Sequence, residues 1–286
     1  MKRKTLPNNF CGLPPKYSTY KNSDIVLLPV PFDMTSSWIK GSSSGPKAII
    51  EASKNMELYD IETDSEVYTK GIHTAKEILS KTSPGMIGKV HKKVKKVLDD
   101  NKFPVVLGGE HTVAIGSIMA HAEIHDCMSV LHLDAHSDMR DSYEGSRYSH
   151  ASVMARAKEI TKDIVSVGIR SMDSSELGNI NRKNIFYAAD IRKSGDWIKK
   201  ALARLSKNVY ITIDLDVFDP SIMPSTGTPE PGGPGWYEVM DLLENVSEKK
   251  KIVGFDVVEL CPSKNAAPDF LAAKLVYKLL SMIFCE

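Results

Sequence analysis

The sequence predicts an α/β fold in which a parallel β-sheet is covered by helices on both faces. Apolar, β-branched runs alternate with segments of helical periodicity along the chain, which is typical of this class. The apolar runs are nearly continuous instead of alternating with polar residues, as expected for strands buried on both faces. No linker divides the chain, so we predict one domain over residues 1–286, with residues 1–24 as an N-terminal extension that packs on it.

Seven runs rich in Val, Ile and Leu are the strand candidates. In chain order they span residues 25–30, 104–108, 129–133, 163–168, 184–187, 209–213 and 252–258. Segments with apolar residues at helical spacing lie between them. These helix candidates span residues 46–52, 86–98, 113–122, 149–160, 197–205, 236–246 and 269–283. Because such folds bind ligands at the carboxyl ends of their strands, we expect functional residues just after the apolar runs.

The composition excludes several classes of protein. With 286 residues, 26% of them charged, and a net charge of +1, the chain is not a strongly basic nucleic-acid binder. No apolar run approaches the about 18–20 residues of a membrane-spanning helix, and no apolar core follows the basic N-terminal residues as it would in a secretory signal. The cysteines Cys11, Cys127, Cys261 and Cys285 are far apart and form no C-x-x-C pair, so we expect reduced thiols in a cytoplasmic protein.

Charged residues cluster at the ends of two strand candidates. Asp134, His136 and Asp138 follow the third run at a spacing of two residues, which places them on one side of an extended segment. Asp214 and Asp216 repeat this spacing at the end of the sixth run. Such groups at the end of a buried strand are costly unless their charge is compensated, and a metal ion would compensate it.

A third strand end adds His111, which closes the segment Gly108-Gly-Glu-His. Each segment alone is a weak signal, since a single Asp-x-Asp usually serves a turn. Together they supply two imidazoles and four carboxylates without a thiol, a set that suits Mn²⁺, with Zn²⁺, Co²⁺ and Ni²⁺ as competitors. Six ligands exceed what one ion needs beside a reactive water, so we predict two ions, which would activate a bridging water.

Three further residues need an interpretation. His150 lies at the end of a polar loop and Glu259 follows the last apolar run, so both are expected at the rim of the site. Taken alone, the first would be a solvated loop histidine and the second the partner of a surface lysine. His132 is interpreted as a packed strand histidine on the side opposite the neighbours of Asp134, without a functional role.

Taken together, these motifs resemble the ureohydrolase family, that is arginase, agmatinase and their relatives. The matching segments are residues 30–33, 45–49, 108–111, 134–138, 149–150, 214–220, 227–233 and 254–259. One segment departs from the pattern, because this chain has His-Ala-Ser at 150–152 where many relatives have His-Gly-Thr. The resemblance implies a three-layer α-β-α fold with a central eight-stranded, mostly parallel sheet. It also implies two Mn²⁺ ions per subunit and a homo-oligomer, either a trimer or a hexamer.

The resemblance also implies roles for the site residues. One ion would be held by His111, Asp134, Asp138 and Asp214, and the other by Asp134, His136, Asp214 and Asp216. A hydroxide bridging the ions would attack the guanidinium carbon, with Asp138 orienting it. Glu259 would pair with the guanidinium group in a fork geometry, and His150 would shuttle protons as urea and an amine form.

The loop over residues 138–150 is expected to line the entrance and to influence the choice of substrate. It carries acids and aromatics and lacks the Asn/Thr/Ser-rich pattern that would bind an α-amino acid head. We therefore predict hydrolysis of agmatine to putrescine and urea, with no nucleic-acid or membrane partner. Because Arg140 or Arg147 could bind a carboxylate, guanidinobutyrase stays open, as do arginase, formiminoglutamase and a nickel-dependent guanidine hydrolase. A two-metal phosphoesterase and a non-catalytic binding module are the alternatives from other classes.

Overall fold

The computed structural model describes residues 6–161 and 163–285 and contains one eight-stranded sheet. The strands are β1 Ile25–Val30, β2 Ile72–Thr74, β3 Phe103–Gly108, β4 Ser129–Leu133, β5 Ile164–Ile169, β6 Ile185–Tyr187, β7 Asn208–Asp214 and β8 Lys251–Val258. Their order in the sheet is β2-β1-β3-β8-β7-β4-β5-β6. Every neighbouring pair of these strands is parallel. The predicted α/β fold is thereby confirmed, and these strands are parallel throughout.

Helices follow or precede the strands as the alternating pattern predicts. They are α1 Pro15–Ser18, α2 Gly45–Ser53, α3 Ser83–Asp99, α4 Ala114–Ala122, α5 Val153–Ile160, α6 Ala188–Ile191, α7 Trp197–Leu202, α8 Trp236–Lys249 and α9 Ala267–Phe284. The pattern missed β2, α1 and α6 because three or four residues are too few to show a period. The predicted helix over 149–160 begins later than expected, because His150–Ser152 forms a 3₁₀ turn.

Alternation along the strands divides the core between the two faces of the sheet. Ile25 and Leu27 of β1 belong to a buried cluster with residues of α2, α8 and α9. Val26 and Leu28 belong to a second cluster with residues of α3, α4 and α5. Because successive strand side chains point to opposite faces and both faces are covered, the strands are apolar at most positions. The result is the three-layer α-β-α arrangement.

The described part of the predicted N-terminal extension, residues 6–24, contacts the elements near β1. The backbone N–H of Phe10 donates to Thr74 Oγ1 at 2.9 Å, and that of Cys11 donates to Ser53 Oγ at 2.7 Å. The side chains of Phe10 and Leu13 are buried. Residues 1–5 of the extension lie outside the described residues. Within the described ranges, no helix combines the length and the apolar content that crossing a membrane requires.

Candidate metal centre and catalytic cavity

Four adjacent strands at the middle of the sheet carry the candidate site. In the order β3-β8-β7-β4 they lead to His111, Glu259, Asp214 and Asp134, each at or just after the end of its strand. Because the strands are parallel, their carboxyl ends meet at one edge. The sheet therefore brings together residues that are up to about 150 positions apart in the sequence.

The first group of ligand atoms surrounds His111, whose ring is buried. Its Nδ1 lies 3.2 Å from Asp134 Oδ2, 3.0 Å from Asp138 Oδ2 and 3.6 Å from Asp214 Oδ2. Although these oxygens are close, Nδ1 makes no hydrogen bond of acceptable geometry within the described part of the chain. A buried nitrogen that faces three carboxylates without a hydrogen bond is the donor arrangement expected of a metal ligand.

The second group surrounds His136, which is partly exposed. Its Nδ1 lies 2.9 Å from Asp216 Oδ2 and 3.5 Å from Asp134 Oδ1. The two oxygens of Asp134 thus face different histidines, one in each group. Each of these two aspartates, Asp134 and Asp214, also accepts a backbone hydrogen bond, Asp134 Oδ1 from the His136 amide at 2.6 Å and Asp214 Oδ1 from the Asp216 amide at 2.9 Å. All six predicted ligands are therefore together, and the geometry supports a shared position most directly for Asp134.

Electrostatics at this site favour a bound cation. Burial raises the pKa of Asp214 well above its usual range, and the nearby carboxylates of Asp216 and Asp134 raise it further. Burial alone would lower the pKa of His136, but the carboxylate of Asp216 and then that of Asp134 outweigh it and raise the pKa to about 12. Buried carboxylates and imidazoles that bind protons this strongly also attract metal cations, because protons and metal ions compete for the same lone pairs.

A buried hydrogen-bond chain behind His111 was missed by the sequence analysis. His111 Nε2 lies 2.8 Å from Thr212 Oγ1, and Thr212 donates to Asp256 Oδ1 at 2.7 Å. Tyr210 donates to the other oxygen of Asp256 at 2.6 Å. Since the single proton of Thr212 goes to Asp256, Nε2 must be the protonated nitrogen of His111, which leaves the lone pair of Nδ1 for the metal. The signal was present, because Asp256 is a charged residue inside an otherwise apolar strand.

His132 is a packed strand histidine, as predicted, but the side of the strand predicted for it was wrong. The residue is buried on β4, and its Nε2 lies 2.8 Å from Asp134 Oδ2, while Nδ1 lies 3.1 Å from Ser166 Oγ. Residues two positions apart share a side of a strand, so His132 belongs on the side of Asp134, not opposite it. It contacts the carboxylate that both groups share and supports its orientation.

Two of the predicted catalytic residues have left-handed backbones, with φ of 51° for Asp138 and 65° for Glu259. Such conformations are unfavourable for residues with a Cβ and are often found at active sites. Glu259 Oε1 accepts a hydrogen bond from the His111 amide at 2.8 Å. Burial, and then the negative charge of Glu110, raise the pKa of Glu259 well above its usual range.

His150 borders the same cavity as these carboxylates. Its Nδ1 is 3.3 Å from Thr35 Oγ1, and its Nε2 is 3.5 Å from Ser37 Oγ. The ring packs edge-on against Tyr143 with centroids 5.5 Å apart. Thr35 in turn is held by the buried Glu110, which the sequence analysis left without a role. The predicted proton-transfer residue is therefore fixed by the loop that follows β1.

These groups border one cavity of about 300 Å³. Of the loop predicted to line the entrance, Asp138, Arg140, Tyr143 and His150 reach it. Arg140 is paired, with Nη2 3.5 Å from Asp173 Oδ2, and its guanidinium carbon lies 5.0 Å from the centroid of the Tyr143 ring. Arg147 points elsewhere and pairs with Glu159 at 2.6 Å. Neither arginine therefore presents an uncompensated charge to a substrate carboxylate.

Comparisons with known proteins agree with this site. The chain matches the model of the arginase family over residues 23–282. It is 36% identical to the N(1)-aminopropylagmatine ureohydrolase of Synechocystis, over 96% of this chain and 95% of that protein. It is 33% identical to the agmatinase of Pyrococcus horikoshii, over 92% and 93% of the two chains. The crystal structure of the agmatine ureohydrolase of Thermoplasma volcanium superposes with a TM-score of 0.86 at 32% identity, covering 97% and 94% of the two chains.

Proposed function

Because the chain belongs to the arginase family, we propose that the protein hydrolyses the guanidino group of agmatine and releases urea and putrescine. The observation that carries the proposal is the convergence of two imidazoles and four carboxylates, those of His111, His136, Asp134, Asp138, Asp214 and Asp216, beside a cavity that Glu259 and His150 also line. A binding module without activity would not need a proton-transfer group and a guanidinium acceptor on the same cavity as the metal ligands.

The donor set suits two divalent cations, and we propose Mn²⁺. Oxygen atoms predominate, and His111 Nδ1, buried and without a hydrogen bond within the described residues, faces three of them. When bound, such a pair of cations would lower the pKa of a water molecule between them and so supply the nucleophile near neutral pH. The first group would hold one ion through His111 and Asp138, the second would hold the other through His136 and Asp216, and Asp134 would serve both.

Glu259 would bind the guanidinium group of the substrate. One of its oxygens is occupied by the His111 amide, and the carboxylate borders the cavity, so the second oxygen can accept an N–H of the substrate. The raised pKa of Glu259 would fall when a cation enters, because an opposite charge favours the ionised form. The pairing would thus hold the substrate cation where the nucleophile can reach the central carbon.

Asp138 and His150 would handle the remaining steps. Asp138 lies 3.0 Å from His111 and can accept a hydrogen bond from the attacking water, which orients it. His150 lines the cavity and would give a proton to the departing amine nitrogen, a role in which imidazole side chains commonly serve. The bond between the guanidino carbon and that nitrogen breaks, and urea and the amine are released.

The cavity entrance favours a substrate whose far end is an amine. Arg140 is compensated by Asp173 and is stacked on Tyr143, so a carboxylate tail would have to displace an existing pair. The Asp173 side chain is 42% exposed and lines the cavity, so its carboxylate can attract an ammonium group while it stays paired with Arg140. A second candidate, N(1)-aminopropylagmatine, is favoured by the relatives that carry this name at 36% and 38% identity. Its additional amine would extend from the same entrance.

A urea-release panel tests the proposal. The protein is loaded with Mn²⁺ and incubated with agmatine, N(1)-aminopropylagmatine, arginine, guanidinobutyrate, formiminoglutamate or guanidine, with Asp216→Ala as the variant that lacks a ligand. We expect the highest kcat/KM with agmatine and none with the variant. Faster hydrolysis of arginine or guanidinobutyrate would overturn the proposed substrate, and inactivity towards the whole panel would overturn the proposed reaction.

We further propose that the chain forms a single domain, assembles as a trimer or hexamer, and acts in the cytoplasm. The match to the family model over nearly the whole chain supports the first point. Light scattering coupled to size-exclusion chromatography tests the assembly, and a monomeric mass near 31.6 kDa would contradict it.

A further inference from the structure

We propose that Glu110 and Thr35 are positioning residues for His150. In this arrangement the Glu110 carboxylate orients the Thr35 hydroxyl, and the hydroxyl fixes the ring so that Nε2 is free to exchange a proton in the cavity. The inference rests on the proposed function, in which His150 transfers a proton. It adds a buried hydrogen-bond network that joins the end of β3 to the loop after β1.

Glu110 is fully buried and its oxygens are occupied by donors from the loop and the helix start. Its Oε1 accepts from Thr35 Oγ1 at 2.7 Å and from Thr112 Oγ1 at 2.9 Å. Its Oε2 accepts from the Thr35 amide at 2.7 Å and from Ser36 Oγ at 3.4 Å. A buried carboxylate is stable only with such partners, so both carboxylate oxygens are committed to holding residues 35, 36 and 112 in place.

The hydroxyl proton of Thr35 determines which ring nitrogen of His150 is protonated. Thr35 has one hydroxyl proton, and the contact with Glu110 at 2.7 Å uses it. The lone pairs of Thr35 Oγ1 then face the His150 amide N–H at 3.0 Å and the His150 Nδ1 at 3.3 Å. Nδ1 must therefore be the donor, which makes Nε2 the acceptor nitrogen of the neutral ring.

This assignment suits the orientation of the ring. Tyr143 packs against the His150 ring at an interplanar angle of 83°. The Nε2 atom of His150 lies 3.5 Å from the hydroxyl of Ser37, a residue that lines the cavity. When Nε2 takes up a proton, the positive ring is stabilised by a hydroxyl dipole that a carboxylate holds in one direction. Loss of the Thr35 hydroxyl would leave Nδ1–H without its acceptor and the ring free to turn.

The test compares a substitution that removes the hydroxyl with one that keeps it, in the Mn²⁺-loaded protein. We expect Thr35→Val to lower kcat roughly 10- to 100-fold, since a hydrogen bond to a charged group is lost, with little change in KM or in bound metal. Thr35→Ser keeps the hydroxyl and should recover most of that loss. Thr69→Val, an exposed position outside the cavity, controls for the substitution itself.

A double-mutant cycle separates positioning of His150 from general support of the fold. In a His150→Ala background, Thr35→Val should cost almost nothing further, because the ring it positions is absent. An equal loss in both backgrounds, or a wild-type kcat for Thr35→Val, would overturn the inference. If Thr35→Val does not fold, Glu110→Gln takes its place in the same cycle and is read by the same criterion.

A readout independent of turnover is the tautomer of His150, observed by ¹⁵N NMR of the metal-free protein. We expect Nδ1–H in the wild type and a mixture of tautomers in Thr35→Val, and an Nε2–H form in the wild type would contradict the inference. Failure of the inference differs from failure of the proposed function. In the first case the wild type releases urea and Thr35→Val is unaffected, and in the second the wild type releases none.

Discussion

Thr212→Val is the substitution that best tests how the fold prepares the metal centre. Thr212 connects the buried nitrogen Nε2 of His111 to Asp256, with contacts of 2.8 Å and 2.7 Å. Valine has nearly the same shape, so the change removes the hydroxyl without opening a cavity. We expect the first ion to bind more weakly, because His111 loses the acceptor that fixes its tautomer and ring plane.

The magnitude follows from the number of partners lost. Removal of an outer partner of a ligating histidine typically weakens metal binding about 10- to 100-fold, which corresponds to about 1.4–2.7 kcal/mol. The folded protein should also lose about 1–3 kcal/mol for each buried group left unpaired. Asp256 retains its hydrogen bond from Tyr210, so the His111 side should account for most of the loss.

Calorimetric titration of metal into the metal-free protein provides the assay. Thr226→Val is the matched control, because its hydroxyl is equally buried and has no hydrogen-bond partner among the described residues. We expect wild-type metal affinity and an unchanged or slightly higher melting temperature for this control. Wild-type affinity in Thr212→Val would refute the reasoning, since the hydroxyl would then not prepare His111 for the metal.

Three further predictions concern the charges of the molecule. Asp134→Ala should lose both ions and all urea release together, because its two oxygens face both histidines; metal analysis showing about two ions per chain would contradict this. Metal uptake at neutral pH should release protons, because the carboxylates of Asp216 and Asp134 raise the pKa of His136 to about 12 and keep it protonated in the metal-free protein. The enthalpy of metal binding should therefore vary with the ionisation enthalpy of the buffer. A binding enthalpy that is the same in all buffers would contradict this prediction. Lys278→Met should destabilise the fold by about 3–5 kcal/mol, because it leaves the buried Asp60 without the ammonium that lies 2.7 Å away; chemical denaturation measures this, and adding Asp60→Asn should restore part of the loss.

The positions of the ligands could be predicted because they depend on local rules. A spacing of two residues at a strand end places Asp134, His136 and Asp138 on one side, and the same rule applies to Asp214 and Asp216. The same rule places His132 beside Asp134, where the structure has it. The alternation of apolar runs and helical segments likewise predicted the layers of the fold, since burial on both faces favours apolar residues along nearly the whole strand.

Partners from distant segments could not be predicted in this way. Nothing near Glu110 in the sequence indicates that it binds Thr35, which lies 75 positions away, and nothing near His150 indicates that the same threonine holds its ring. These contacts depend on which strands are neighbours, and hydrophobic patterns do not encode the order of strands in a sheet.

By itself, then, the sequence determined which residue types stand at strand ends, the layers they belong to and the kind of ion they suit, because each of these follows from spacing and chemistry along the chain. Only the tertiary structure decided that β8 and β7 lie between β3 and β4, so that Glu259 accepts a hydrogen bond from the His111 amide and Asp214 lies 3.6 Å from the His111 ring. It also decided the protonated nitrogen of His111 and of His150, because a hydroxyl donates its single proton to one partner and that partner comes from another part of the fold.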